Sequence, residues 1–234
     1  MDQRRRHFLA ATGTAFAGLA LTSCATKKPT ERPVLPLTES SRNAGESVLG
    51  PLQPDPNGLL DLPRGFSYKI LSKHDETMDD GFLVPDAADG MGCIDIGGGE
   101  IALVRNHELT PPNTGGDVMG RAFDTFRGSD TPLPGGTTTM VLDARSLNLK
   151  RQYRSLSGTI RNCSGGTTPW GSWLTCEEAV VTNEPRIHQD HGWVFEVPAR
   201  AEEMIEPIPL KAMGRFNHEA AAVDPRTGIV YLTE

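Results

Sequence analysis

The chain has 234 residues, 25 of them glycine and 18 proline, with few aromatics, so it holds enough material for a sizeable core but favours many short segments joined by turns. Its formal charge is −7, and removal of residues 1–24, which carry three arginines and one aspartate, makes it −9. That acidity argues against nucleic acid and other polyanions as partners and agrees with a surface that gathers cations.

Residues 1–24 read as a targeting segment rather than part of a fold. Arg5-Arg6-His7-Phe8-Leu9 matches the twin-arginine export pattern, and the apolar run from Phe8 to Leu21 is too short to span a membrane. Leu21-Thr22-Ser23-Cys24 fits a lipoprotein processing box, with Cys24 as the lipidated residue; a signal peptide cleaved without lipid is the alternative. The expected location is therefore periplasmic or at the cell surface, with membrane attachment only through Cys24. Twin-arginine export carries folded proteins, which biases the reading toward a metalloprotein. Subtracting Cys24 leaves Cys93, Cys163 and Cys176, an odd number, so at least one thiol stays unpaired within the chain. A Cys163–Cys176 disulfide is one arrangement, and no CxxC pair supports a zinc ribbon.

Residues 25–57, rich in Pro, Ser, Thr and Glu, read as a flexible tether, and residues 58–234 as the folded domain. The second half of the stretch Leu59 to Leu71 is expected to be a strand. Strand–turn–strand units then recur. Met91 to Ile96 and Ile101 to Arg105 flank Gly97-Gly98-Gly99-Glu100, Thr138 to Leu142 and Leu149 to Arg154 form a second unit, and Trp173 to Cys176 is followed by Trp193 to Val197. Ala220 to Val223 and Ile229 to Thr233 close the series, and the chain breaks off there, as the N-terminal portion of a longer protein would. The recurrence points to an all-β fold, a β-propeller ahead of a β-sandwich. Asn113 to Gly136 and Glu184 to Gly192 are expected to be surface loops, which makes His188 and His191 exposed polar residues and not ligands.

The chemistry concentrates in residues 162–178, which pack two cysteines, two tryptophans, three glycines and the pair Glu177-Glu178 into seventeen residues. The glycines and Pro169 suggest an irregular loop, followed by a short buried strand from Gly171 to Cys176 that delivers the carboxylates. Acidic residues recur at other strand ends. Asn106-His107-Glu108 and Asn217-His218-Glu219 repeat one triplet, and Glu234 follows the last strand. Carboxylates forced together repel unless cations neutralise them. Oxygen-rich shells suit calcium, and a thiolate suits a transition metal such as iron. His107 and His218 read as buried structural histidines. Alternate strand residues face opposite sides, so only one of Glu177 and Glu178 can point at such a site.

Val104 to Glu108, residues 162–178, Gly192-Trp193-Val194-Phe195-Glu196-Val197 and the run from Gly214 through Phe216-Asn217-His218-Glu219 to Glu234 resemble the PhoX-type alkaline phosphatases over roughly residues 60–234. The resemblance implies a six-bladed propeller, of which this chain holds the N-terminal blades, with Ca2+ and Fe3+ in a central channel. It implies Cys163 as the iron thiolate, Glu178, Glu219, Glu108 and Glu234 as metal carboxylates, and further ligands with a phosphate-binding arginine beyond residue 234. The implied activity is hydrolysis of small phosphate monoesters by a monomer, and no nucleophile elbow or serine–histidine–aspartate pattern competes with metal catalysis. Ser164, beside the thiol, is a weak candidate nucleophile, and the catalytic residue is otherwise unassigned. The alternatives are a calcium-dependent propeller hydrolase of lactones or phosphotriesters, and a non-enzymatic calcium-binding propeller lipoprotein.

Overall fold

A computed structural model describes residues 49–113, 115 and 120–234. The leader, with Cys24, and most of the expected tether lie outside the described residues. The chain divides into two units, Met1–Tyr68 and Lys69–Glu234.

In the first unit, β1 (Leu52–Gln53) pairs antiparallel with β2 (Leu62–Pro63), so the end of the expected tether already carries one strand of a pair. Asp55 organises the loop between them, accepting from the backbone of Leu59 at 2.8 Å and from the Tyr68 hydroxyl at 2.7 Å. Those two bonds, the Leu59 amide first, draw its carboxyl down to about 2. The expected strand ending at Leu71 is absent, since residues 66–71 have no regular structure. Its apolar Phe66 and Ile70 stay exposed, and among the described residues no strand pairs with the backbone there.

Among the described residues the second unit is all-β apart from a 3-10 turn at Lys211–Met213. Strands β3 (Ala88–Gly97), β4 (Glu100–His107), β5 (Gly135–Asp143) and β6 (Leu149–Thr159) form a four-stranded antiparallel sheet in chain order. Gly97, Gly98 and Gly99 turn β3 into β4 with φ of 78°, 64° and 79°, a left-handed path that glycine takes without steric cost. The outer edge of β6 is closed by the Asp79 and Asp80 carboxylates, which accept the backbone N–H groups of Gln152 and Arg154, each at 2.6 Å. Strands β7 (Asn162–Thr167), β8 (Ser172–Glu177) and β9 (Val194–Pro198) form a three-stranded antiparallel sheet, and β10 (Ala221–Val223) pairs with β11 (Val230–Leu232).

The three sheets pack face to face in succession. Ile94, Ile96, Ala102, Val104, Val141, Tyr153 and Leu156 of the first sheet meet Trp173, Phe195 and Val197 of the second. Leu174, Cys176 and Val194, on the second sheet's other face, meet Ala221, Val223, Val230 and Leu232 of the third. Alternation along β8 thus serves two cores, Trp173 for one and Leu174 and Cys176 for the other.

Residues 162–167 are strand β7, not the irregular loop their glycines suggested. Gly165 and Gly166 are there for close approach. A Cβ on Gly165 would collide with the Leu174 carbonyl, and one on Gly166 with the Ala221 carbonyl. The Glu184 to Gly192 loop is only partly exposed, because His191 is fully buried. Two buried carboxylates, Asp124 and Glu177, draw its ring inward.

Candidate metal centre

Four structural elements converge on the thiol of Cys163. The register of β7 against β8 slips between Asn162 and Gly165, so Cys163 and Ser164 bulge out of the ladder. Their two carbonyls are taken up by one side chain. Asn106, fully buried near the end of β4, donates from Nδ2 to the carbonyls of Cys163 at 3.0 Å and Ser164 at 2.8 Å. Its Oδ1 accepts from Trp173 Nε1 at 2.9 Å and Thr175 Oγ1 at 2.8 Å, which uses the whole amide and fixes which end faces the bulge. Gly90 on β3 passes so close to this bulge that a Cβ there would lie 2.8 Å from the Cys163 carbonyl. The bulge takes Cys163 out of the ladder, and the bare backbone of Gly90 lets β3 lie close against it.

Around that thiol lie two groups of three ligand atoms, Asp89–Glu108–Cys163 and Cys163–Glu178–Glu219, each with its atoms within 4.8 Å of one another. Cys163 belongs to both. Its Sγ lies 3.7 Å from Glu219 Oε1. Burial pushes the thiol up to about 12, and the negative charges of Asp89, Glu219, Glu108 and Glu178 add to the shift. Glu108 is raised as well, by burial first and by its contact with Asp89, against the opposing pull of Arg161. A cation placed among these groups reverses both shifts, since it favours the charged form of every one of them.

The adjacent pair is divided as strand alternation requires. Glu177 is fully buried and points away from Cys163. Its oxygens accept from the backbone N–H groups of Ile160, Gly192 and Trp193 at 3.0, 2.8 and 3.0 Å, and Oε1 meets His191 Nδ1 at 2.7 Å. The other ring nitrogen of His191 lies 3.2 Å from Asp124 Oδ2. Burial opposes a charge on this ring, but the hydrogen bonds to Asp124 and Glu177 prevail and raise it to about 9. Glu178, one residue on, turns to the thiol side and takes Arg161 Nη2 at 2.8 Å. The two residues differ in job, Glu177 as an internal anchor and Glu178 as a candidate ligand.

The repeated triplet places both of its glutamates at the thiol, Glu108 in one group and Glu219 in the other. Its histidines are buried, as expected. His107 donates from Nδ1 to the Asp86 carbonyl at 2.9 Å and accepts at Nε2 from Thr138 Oγ1 at 2.9 Å, so both nitrogens are spoken for. Burial, with Arg154 and Arg105 nearby, holds its pKa well below the ordinary imidazole value. His218 stacks on Phe216 with ring centroids 3.7 Å apart. Glu234 lies outside both ligand groups. Among the described residues Cys93, Cys163 and Cys176 are all free, which removes the Cys163–Cys176 disulfide, and Cys176 belongs to the apolar core instead.

Asp89, Asn106 and Arg161 carried no weight in the sequence as site residues. Asn106 stands in the repeated triplet and was the one with a local signal. Asp89 and Arg161 reach the centre only because β3 and the β6–β7 connection pack beside β7.

A family model described as alkaline phosphatase PhoX matches residues 47–150 and 143–234. The chain belongs to this family. Neither the curated proteins nor the solved structures yielded a match. The matched span covers Asp89, Glu108, Cys163, Glu178 and Glu219, so every residue of both ligand groups lies within the part of the chain that defines its membership.

Proposed function

We propose that this protein is an exported, metal-dependent phosphomonoesterase of the PhoX type, with its metal centre built on Cys163. One observation carries the reading in a chain of this family: a single thiol stands at the shared corner of two carboxylate groups. Cys163 with Glu178 and Glu219 would hold one cation, and Cys163 with Asp89 and Glu108 a second. A thiolate donor favours iron, and the surplus of carboxylate oxygens leaves room for calcium nearby. Bound cations would supply Lewis-acid stabilisation of the charge that builds up when a phosphate monoester is cleaved.

The protein's own contribution is placement. Asn106 holds the bulge, Glu177 turns Glu178 toward the thiol, and β10 brings Glu219 within reach. The successive face-to-face sheets agree with blades of a β-propeller, which would put strand ends around a central channel. Export by the twin-arginine route, attachment through Cys24, small phosphorylated substrates and a monomeric state complete the proposal, and their support is the sequence pattern of the leader and the family.

The test is hydrolysis of a chromogenic phosphomonoester at alkaline pH by the mature protein, before and after calcium chelation, beside a lactone and a phosphotriester. Chelator-sensitive turnover of the monoester alone is expected. Preference for either of the other substrates, or no turnover by well-folded, metal-replete protein, would refute the proposal.

A further inference from the structure

Arg161 stands between β6 and β7 with φ of 45°, a left-handed conformation that costs a non-glycine residue free energy. Its backbone is held on both sides. Its N–H donates to the Leu109 carbonyl and its own carbonyl accepts from Glu178 N–H, each at 2.9 Å. The strained residue is thus tied to the neighbour of one candidate ligand and to another candidate ligand directly.

The side chain repeats that bridge. Nε donates to Glu108 Oε1 at 3.2 Å and Nη2 to Glu178 Oε2 at 2.8 Å. These two nitrogens share one edge of the planar guanidinium, so that whole edge spans one carboxylate from each ligand group. Glu108 Oε2 and Glu178 Oε1 remain clear of the arginine. The other edge, made of Nη1 and the second hydrogen of Nη2, makes no hydrogen bond among the described residues, and the side chain is 42% exposed. Structural arginines of the interior look different. Arg154, fully buried, spends Nε and Nη2 on the carbonyls of Leu156, Pro134 and Gly135. Arg161 is a fixed cation beside the candidate metal centre with a two-donor fork left toward solvent, and that fork matches two oxygens of a phosphoryl group.

We infer that Arg161 contacts the substrate, its free guanidinium edge taking two phosphoryl oxygens of a phosphate monoester held at the Cys163 centre. The inference rests on the phosphatase reading given above. Lysine keeps the charge but loses the planar fork, so the Lys variant separates shape from charge.

The experiment compares metal-loaded mature protein with its Arg161→Lys and Arg161→Gln variants. It measures metal stoichiometry, KM and kcat for a chromogenic monoester, and direct calorimetric binding of inorganic phosphate. Both variants are expected to keep their metals, while phosphate dissociation constants and KM rise at least ~10-fold, as loss of charge-assisted bidentate bonds implies. Unchanged phosphate binding in active variants refutes the role of Arg161 and leaves the phosphatase reading intact. Loss of metal in step with phosphate affinity in both variants shows that the guanidinium only holds the carboxylates, and refutes it as well. Wild-type protein that neither binds phosphate nor cleaves the monoester overturns the phosphatase reading itself, and this inference with it.

Discussion

Replacing His191 with Gln tests the buried cluster that anchors Glu177. The ring is fully buried and lies between two carboxylates, 2.7 Å from Glu177 and 3.2 Å from Asp124. Its folded pKa of about 9, against an ordinary 6.5, means that the fold prefers the protonated ring by about 3 kcal/mol. Removing the cation also leaves two carboxylates facing each other without a partner charge, a loss of about 3–5 kcal/mol for a buried pair. Because the folded pKa is the higher one, the stabilisation is complete below the unfolded value of about 6.5 and fades as pH rises through about 9. The assay is urea unfolding of wild type and His191→Gln from pH 6 to 10, with the metal complement matched. The stability difference should be about 3 kcal/mol or more at pH 6 and should shrink by most of that amount at pH 10. A difference below about 1 kcal/mol, or one that does not change with pH, would refute the account of His191 as a buried cation.

Three further outcomes follow from the same geometry. If the proposed function holds, Cys163→Ser should abolish iron binding and phosphatase activity together, read by elemental analysis and monoester turnover; retained iron would remove the thiol from the centre. Glu177→Gln and Glu178→Gln should part company despite adjacency. The first should cost about 3 kcal/mol in urea unfolding through its lost anchor, and the second should lower metal stoichiometry with stability changed by less than about 1 kcal/mol. Gly166→Ala places a Cβ against the Ala221 carbonyl, so it should destabilise by about 1–3 kcal/mol in the same assay, although alanine would be harmless in the open loop the sequence suggests.

The strands of the first sheet were legible because each carries its own signal. Residues of β3 alternate between the two faces, and three successive glycines mark its turn into β4. Cys163, Glu108 and Glu219 stood out in the sequence as candidates because a thiol and a repeated Asn-His-Glu triplet stand at strand ends, whereas Glu178 was preferred only through the family resemblance. What failed did so for identifiable reasons. Gly165 and Gly166 look like loop glycines, since close approach of two backbones leaves the same mark in a sequence as a turn. The choice within Glu177-Glu178 needs the ladder of β8, because adjacent residues face opposite sides and either phase fits the letters alone. His191 sits in a polar stretch, and nothing local announces that two distant carboxylates enclose it. Asp89 and Arg161 depend wholly on which sheet stacks on which. Phe66 to Leu71 shows the converse, an apolar alternation that never becomes a strand for want of a neighbour.

The contact at Gly166 reaches beyond stability. The backbone of β7, which carries Cys163, rests directly on the backbone of β10, which follows Glu219, with no side chain between them. The spacing of thiol and carboxylate is therefore gauged by main-chain atoms, whose dimensions are the same whatever residues fill the surrounding cores. Substitutions among Leu174, Val223, Val230 or Leu232 can loosen or tighten the packing without resetting that gauge. A side chain added at Gly166 would instead shift thiol and carboxylate relative to each other through the main chain itself.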